Sequence, residues 1–375
     1  MAGLYIHIPF CASRCIYCGF YSTTHLDLRQ QYVDAVCREM EIHPFPLPEG
    51  MGIDTIYLGG GTPSQLTIPQ LEQLFIYINK VYSLPSIQGG AGGGSEVTIE
   101  ANPDDVTPEF AASLSQLGIN RVSMGAQTFD DARLRFLHRR HTAAQVREAV
   151  AILRNVGIHN ISIDLMYGFP NETIDDWQRD IDTALSLNVE HISAYCLMVE
   201  EGTPLHSMGI KACEEETERA MYYELIDRLT AAGYEHYEIS NFARPGFRSR
   251  HNSSYWHDIS YIGLGAAAHS YDGHCRSWNV SDIRQYIDAI NERRIPCESE
   301  LLDDDTHYND RIATAMRTSD GLDLTMLTDH QRSYCLQEAQ ISLHSGLLRL
   351  QDNRLTLTRE GLFVSDMVMS SLMIV

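Results

Sequence analysis

Three cysteines stand within eight positions near the start of the chain. Cys11, Cys15 and Cys18 form a Cys-x3-Cys-x2-Cys pattern, and Phe20 occupies the next position at which a fourth cysteine would extend it. Thiolates grouped this closely in sequence are typical ligands of zinc or of an iron-sulfur cluster. The spacing therefore indicates metal chemistry with three thiolate ligands.

Three interpretations of this loop are open. Structural zinc sites usually take four ligands in paired Cys-x2-Cys knuckles, and the chain has no second cysteine pair and no His-x3-His partner. Core thiols would follow the periodicity of a strand or helix rather than fall in a loop with Arg14 and Gly19. A four-iron cluster is the favoured interpretation, because three thiolates leave one iron with an open position for another ligand.

Strands and helices are predicted to alternate over the first 200 residues, and these elements must position the cysteine loop. Short β-type runs are predicted at Gly3–Ile8, Asp54–Leu58, Glu96–Glu100, Arg121–Ala126, Asn160–Met166 and His191–Met198. Helical patterns lie between them at Ile68–Tyr82, Pro108–Leu117, Thr142–Asn155 and Thr173–Leu187. Right-handed crossovers between parallel strands predict an α/β fold, a full or partial (β/α)6 TIM-like barrel with its helices outside.

In such folds ligands bind at the carboxyl ends of the strands. Strand one leads into the cysteine loop, strand two into Gly59-Gly60-Gly61-Thr62-Pro63, and the next three strands carry Glu100, Gln127 and Asp164. We expect these groups to converge on one rim. Taken one at a time, each could equally be a turn cap or a hydrogen-bond anchor.

Composition and charge narrow the function classes. The 375 residues, 44% hydrophobic and 21% charged, are typical of a globular protein, and no apolar run reaches the length of a membrane span. A formal charge of -22 disfavours binding to nucleic acid or to anionic lipid. Six further cysteines are scattered singly, and the N-terminus has no secretory signal pattern, so we expect a reduced, cytoplasmic protein.

The rest of the chain suggests three regions: 1–240, 241–305 and 306–375. Gln88–Ser95, "QGGAGGGS", is interpreted as a flexible insertion without a function. The middle region is rich in aromatic residues and histidine. Helical patterns beyond Thr306, followed by two alternating strands around Asp352-Asn353 and a final helix, predict a small winged-helix-like domain that packs on the barrel or on a partner protein.

The cysteine loop after strand one, together with Gly59 to Pro63 after strand two, resembles the radical S-adenosylmethionine (SAM) superfamily. This resemblance implies a [4Fe-4S] cluster held by Cys11, Cys15 and Cys18, with SAM on its open iron. It assigns the surroundings of SAM and the cluster to nine further positions, which are Tyr5, Tyr17, Gly60, Gly61, Thr62, Glu100, Gln127, Arg139 and Asp164. Arg139 in "LHRRH" would pair with a carboxylate, whereas the alternative is a solvated basic helix face.

The segments "YEISNFARPG", "HNSSYW" and "YIGLGAAAHSY" resemble the branch that contains oxygen-independent coproporphyrinogen III oxidase and the HemW family of haem chaperones. The oxidase pattern has a fourth cysteine where this chain has Phe20, and a long segment before the cluster where this chain has ten residues. Both differences favour the chaperone family. In that family "HNSSYW" corresponds to a haem-binding pattern, which makes His251 the expected iron ligand, with His257 and His269 as alternatives.

The resemblance thus implies a protein that binds haem and delivers it to haem-accepting proteins, among them membrane-bound respiratory enzymes. The alternative is an enzyme that oxidatively decarboxylates coproporphyrinogen III. The sequence leaves the oligomeric state open, and a homodimer is compatible with it. The residues alone favour a structural aromatic turn in which His251 hydrogen-bonds the backbone, and only the resemblance favours haem binding.

Overall fold

A computed structural model describes residues 2–43, 52–82 and 94–374. Its strands are β1 (Ala2–Ile8), β2 (Ile53–Gly60), β3 (Glu96–Ala101), β4 (Arg121–Gln127), β5 (Asn160–Tyr167), β6 (His191–Cys196), β7 (Glu235–Glu238), β8 (Asn241–Ala243), β9 (Tyr261–Leu264), β10 (His269–Tyr271), β11 (Cys275–Asn279), β12 (Cys297–Leu301), β13 (Leu322–Asp323), β14 (Leu348–Gln351) and β15 (Arg354–Leu357). The first twelve form one sheet in the order β12-β11-β10-β9-β1-β2-β3-β4-β5-β6-β8-β7.

The helices of the described residues are α1 (Arg29–Ile42), α2 (Ile68–Tyr82), α3 (Pro108–Gln116), α4 (Asp131–Phe136), α5 (Ala143–Asn155), α6 (Ile174–Ser186), α7 (Pro204–Ser207), α8 (Glu215–Ala231), α9 (Arg250–Trp256), α10 (Ile283–Asn291), α11 (Asp304–Ala315), α12 (Asp329–His344), α13 (Arg359–Phe363) and α14 (Ser365–Leu372). Threonines cap several of them, and Thr142 and Thr173 form capping boxes with Gln145 and Asp176. No helix within the described ranges is both long and apolar enough to cross a lipid bilayer.

The six predicted strands correspond to β1–β6, and the four predicted helices correspond to α2, α3, α5 and α6, with ends that differ by two residues or fewer. Strands β1 to β6 pair in parallel and in sequence order. The barrel is open, because β1 pairs with β9 and β6 pairs with β8 instead of with each other. The predicted partial (β/α)6 barrel is thereby confirmed.

Strands β7–β12 extend the sheet beyond the barrel on both edges. The sequence analysis did not predict this, because the two strands that join the extension to the barrel, β9 and β8, pair with β1 and β6, which are distant in sequence. The predicted insertion at Gln88–Ser95 lies outside the described residues except for its last two positions.

A buried carboxylate fastens the extension to the barrel. Glu39 on α1 accepts hydrogen bonds from the Gly265 amide at 2.8 Å, from Asn279 Nδ2 at 2.6 Å and from the Tyr286 hydroxyl at 2.5 Å. Burial raises the pKa of Glu39, although these three donors oppose the shift. Glu39 therefore links α1 to the extension through hydrogen bonds that replace the lost hydration of its carboxylate.

The C-terminal residues form a separate core around Tyr308, Ile312, Cys335 and Leu355. Here α11, α12 and the α13–α14 pair pack with a three-stranded sheet in the order β13-β15-β14. The hairpin at Asp352-Asn353 and the winged-helix-like arrangement agree with the sequence prediction.

We predict that Glu39→Ala lowers the free energy of unfolding by about 3 kcal/mol or more, because it leaves three buried donors without an acceptor. Glu41→Ala on the same helix is the control, because Glu41 forms an exposed ion pair with Lys80, and its loss should leave the stability close to that of the wild type. Urea unfolding of both variants measures the difference. Equal destabilisation would contradict this role of Glu39.

Candidate functional site

The carboxyl ends of β1–β5 surround a cavity of about 310 Å³, a size typical of small-molecule sites. Twelve of the thirteen predicted site residues line it: Tyr5, Cys11, Cys15, Tyr17, Cys18, Gly60, Gly61, Thr62, Glu100, Gln127, Arg139 and Asp164. His251 is not among them. The residues that the sequence analysis took from separate strand ends are thus close together in space.

The cysteine loop is held by backbone and apolar contacts. The Cys11 amide donates to the Thr23 carbonyl at 2.9 Å, and the Ile16 carbonyl accepts from the Leu205 amide at 2.9 Å. The Ile16 side chain is buried in a small apolar cluster that includes Leu137 and Leu205. The loop is therefore fixed from both sides, with its thiols left facing the cavity.

The three thiols are spread around the cavity. Cys11 Sγ lies 3.4 Å from Thr62 Oγ1, and Cys15 Sγ lies 3.6 Å from an Arg139 guanidinium nitrogen. Among the described residues, no three His, Cys, Asp or Glu side chains are grouped tightly enough to hold a single metal ion. Phe20 also lines the cavity and is 74% exposed at its mouth. The arrangement offers three separated thiols and one apolar side chain at the fourth position.

The glycines at the end of β2 allow the carboxyl ends of β1 and β2 to approach each other closely. A Cβ on Gly61 would lie 2.7 Å from the Pro9 carbonyl carbon, and the Gly61 amide donates to the Ile8 carbonyl at 2.9 Å. Gly60 has a φ of +111° and lies against the ring of His7, where a side chain would collide. This turn leaves backbone groups open toward the cavity beside the cysteine loop.

Two carboxyl groups form the floor of the cavity. Glu100 accepts from the Tyr57 hydroxyl at 2.8 Å and from the Gly60 amide at 3.0 Å. Burial raises the pKa of Glu100 to about 7, and the same cause raises the pKa of Asp164 to about 6. Near neutral pH these groups can therefore either donate or accept hydrogen bonds.

The guanidinium group of Arg139 also lines the cavity. Its guanidinium donates to the Gly125 carbonyl at 2.6 Å and to Asn102 Oδ1 at 2.8 Å. Its Nε is buried and has no partner within the described part of the chain. Arg139 thus differs from the exposed Arg135 and Arg140, and its free donor is suited to an anionic ligand.

His7 and Asn102 also line the cavity, and the sequence analysis gave neither of them a role. His7 contacts the Tyr5 hydroxyl at 3.0 Å through Nδ1 and the Tyr21 carbonyl at 3.3 Å through Nε2. Asn102 accepts from Arg139 as described above. The alternation along β1, which places Tyr5 and His7 on one face of the strand, is the signal that could have identified His7.

His251, which the sequence analysis named as the expected haem ligand, lies outside the cysteine cavity. It lies near the start of α9 and is 1% exposed. Its Nδ1 contacts Thr55 Oγ1 at 2.8 Å and its Nε2 contacts the Tyr255 hydroxyl at 2.8 Å. Its ring stacks on Tyr57 at 5.1 Å. Both ring nitrogens are engaged inside the barrel, so in this conformation neither is available to bind iron.

Residues 5–184 match the family model of the Radical SAM superfamily. The heme chaperone HemW of Bacillus subtilis (strain 168) is 39% identical over 304 residues, which cover 79% of this chain and 78% of the relative. The heme chaperone HemW of Mycobacterium tuberculosis (strain H37Rv) is 34% identical over 99% of this chain and 94% of its own. The chain belongs to the HemW family.

Among solved structures, the coproporphyrinogen III oxidase HemN from Escherichia coli superimposes with a TM-score of 0.84, at 22% identity, over 99% of this chain and 89% of its own. This likeness shows that the HemW-family chain shares the HemN fold, including the C-terminal unit. The superposition confirms the predicted fold. At 22% identity it does not show that this chain has the activity of HemN.

We predict that Glu100→Gln changes the pH dependence of stability. Between about pH 4.5 and 7, native Glu100 keeps a proton that the unfolded chain loses, so its contribution to stability falls as pH rises through this window. The stability of the wild type relative to the variant should therefore fall by up to ~3 kcal/mol across it, less where water enters the cavity.

Thermal unfolding of the metal-free proteins at several pH values measures this difference. Glu148→Gln on the exposed face of α5 is the control. A difference between wild type and Glu100→Gln that does not vary with pH would contradict the raised pKa.

Proposed function

We propose that this chain is a haem chaperone: it binds haem and passes it to haem-accepting proteins, and it carries a [4Fe-4S] cluster and SAM at the mouth of the barrel. The observation that carries the proposal is the convergence of three thiols, the glycine turn and Arg139 on one cavity, in a chain of the HemW family. The recipients proposed are haemoproteins, including membrane-bound respiratory enzymes.

The cavity fits the cluster and SAM on three counts. Cys11, Cys15 and Cys18 all line the cavity and would hold three irons of the cluster, which leaves the fourth iron without a thiolate. The glycine turn leaves room for a ligand close to the backbone. The unpartnered Nε of Arg139 can donate to an anionic group such as the SAM carboxylate. When bound, a reduced cluster supplies the electron that cleaves SAM.

The chain's own groups have defined tasks around these cofactors. Glu100 and Asp164 can accept hydrogen bonds from amine or ribose hydroxyl groups, and Gln127, held at a positive φ of 65°, closes the edge at the end of β4. Tyr5 and Tyr17 supply flat surfaces beside the cluster loop. The pairing of His7 with Tyr5 fixes the orientation of the Tyr5 ring.

Haem binding is supported by the names of the HemW relatives and by an aromatic cleft. A cavity of about 380 Å³ beside α9 is lined by Tyr255, Trp256, Tyr261 and Tyr271, among others. Tyr255 and Trp256 belong to the "HNSSYW" segment. Flat aromatic rings with a polar edge are suited to a porphyrin, whose face is apolar and whose propionates are charged.

We predict that the anaerobically reconstituted protein takes up haem in a saturable titration followed by its Soret band, and forms no protoporphyrinogen from coproporphyrinogen III when SAM and reductant are present. The absence of product is expected because Phe20 stands two positions after Cys18, where the oxidase pattern has a fourth cysteine. Formation of product without haem uptake would instead support the decarboxylase. Failure of both reactions would contradict the proposed function.

A further inference from the structure

One face of the sheet continues from the cysteine cavity into the extension. Tyr5 and His7 on β1 line the cavity. In the register of the sheet, Tyr5 is opposite Gly263 on β9, Tyr261 is opposite Tyr271 on β10, and His269 is opposite Trp278 on β11. Residues opposite each other in a sheet share a face.

His269 lies on this face of the sheet, and its imidazole ring makes no hydrogen bond to the described residues. Neither of its ring nitrogens has a hydrogen-bond partner among the described residues, and the residue is exposed. Its ring lies 6.0 Å from that of Trp278, with 31° between the planes. Burial, followed by the charge of Arg276, lowers its pKa, which favours the neutral imidazole that binds metals.

The surroundings of His269 fit a porphyrin. It lines the same cleft as Tyr255, Trp256, Tyr261 and Tyr271. The Nε1 of Trp256 is buried and has no partner within the described ranges, so it can donate to a ligand oxygen. The guanidinium groups of Arg276 and Arg311 also line the cleft. Arg276 forms an ion pair with Asp310, and Arg311 forms one with Asp258. Such cations can exchange partners with propionates.

Other histidines near the two cavities are less suited to haem iron. His251 and His7 have both ring nitrogens engaged, as described above. The Nε2 atom of His307 lies 3.0 Å from Asp258 Oδ2 and 3.1 Å from the Tyr271 hydroxyl, so this nitrogen is engaged. His138 lines the cysteine cavity instead of the aromatic cleft.

We propose that His269 is the axial ligand of haem iron in the aromatic cleft, and that His251 is an internal support that orients Tyr255. This inference rests on the proposed haem-carrier function and assigns its iron ligand. The bond is a coordination of the imidazole nitrogen to iron and needs no oxidant or reductant. His251 then contributes through its hydrogen bond to Tyr255, which lines the cleft, and does not touch haem.

The test is the haem complex of the full chain with His269→Ala, His269→Met and the control His274→Ala. His274 is an exposed histidine of the turn between β10 and β11 and does not line the cleft. His269→Ala should remove the histidine signature from the visible and electron paramagnetic resonance spectra and weaken haem binding roughly 10-fold or more, since even the partners of metal ligands change affinity by about 10–100-fold.

His269→Met should shift the Soret band to that of a thioether-ligated haem, and added imidazole should restore the histidine-type spectrum of His269→Ala. His274→Ala should match the wild type. Wild-type haem binding with an unchanged spectrum in His269→Ala would overturn the assignment while leaving the proposed function intact. Absence of haem binding by the wild type would overturn the proposed function itself, and the two failures are therefore distinct.

Discussion

The close approach of β1 and β2 at their carboxyl ends is the constraint on which the site depends. The Gly61 amide bonds the Ile8 carbonyl, and no side chain at position 61 would fit against Pro9. This contact places the cysteine loop beside the glycine turn, and it brings Cys11 to Thr62 at 3.4 Å. The thiols and the open backbone groups therefore face one cavity because two neighbouring parallel strands end together.

Charge inside the barrel is balanced around this cavity. Glu100 and Asp164 are half-buried in its floor, and their pKa values are raised because removal from water disfavours the charged form. Arg121, 1% exposed, lies below them and opposes both shifts, while Arg139 opposes that of Asp164. The floor can thus change its protonation near neutral pH without leaving an isolated charge in the core, which suits the cationic sulfonium cofactor that the proposed function assigns to this site.

Much of this arrangement could be predicted from the sequence, because it depends on local patterns. Alternating apolar runs gave β1–β6, and the rule that parallel strands end at one rim brought Glu100, Gln127 and Asp164 to the cysteine loop. The position of His251 could not be predicted, since its partner Thr55 on β2 is distant in sequence and meets it only where α9 packs on β2. The aromatic cleft could not be predicted either, because β9, which carries Tyr261, joins the barrel through a long-range pairing with β1.

The central claim is that three thiols of the first loop hold an iron-sulfur cluster with one open iron. Mössbauer spectroscopy of the protein, reconstituted anaerobically with iron-57 and sulfide and measured with and without SAM, tests it most directly. The account predicts a four-iron cluster in which the signal of a single iron changes when SAM is added, and loss of that cluster in Cys15→Ala. A protein that contains zinc or no metal, or a cluster that survives Cys15→Ala unchanged, would contradict it.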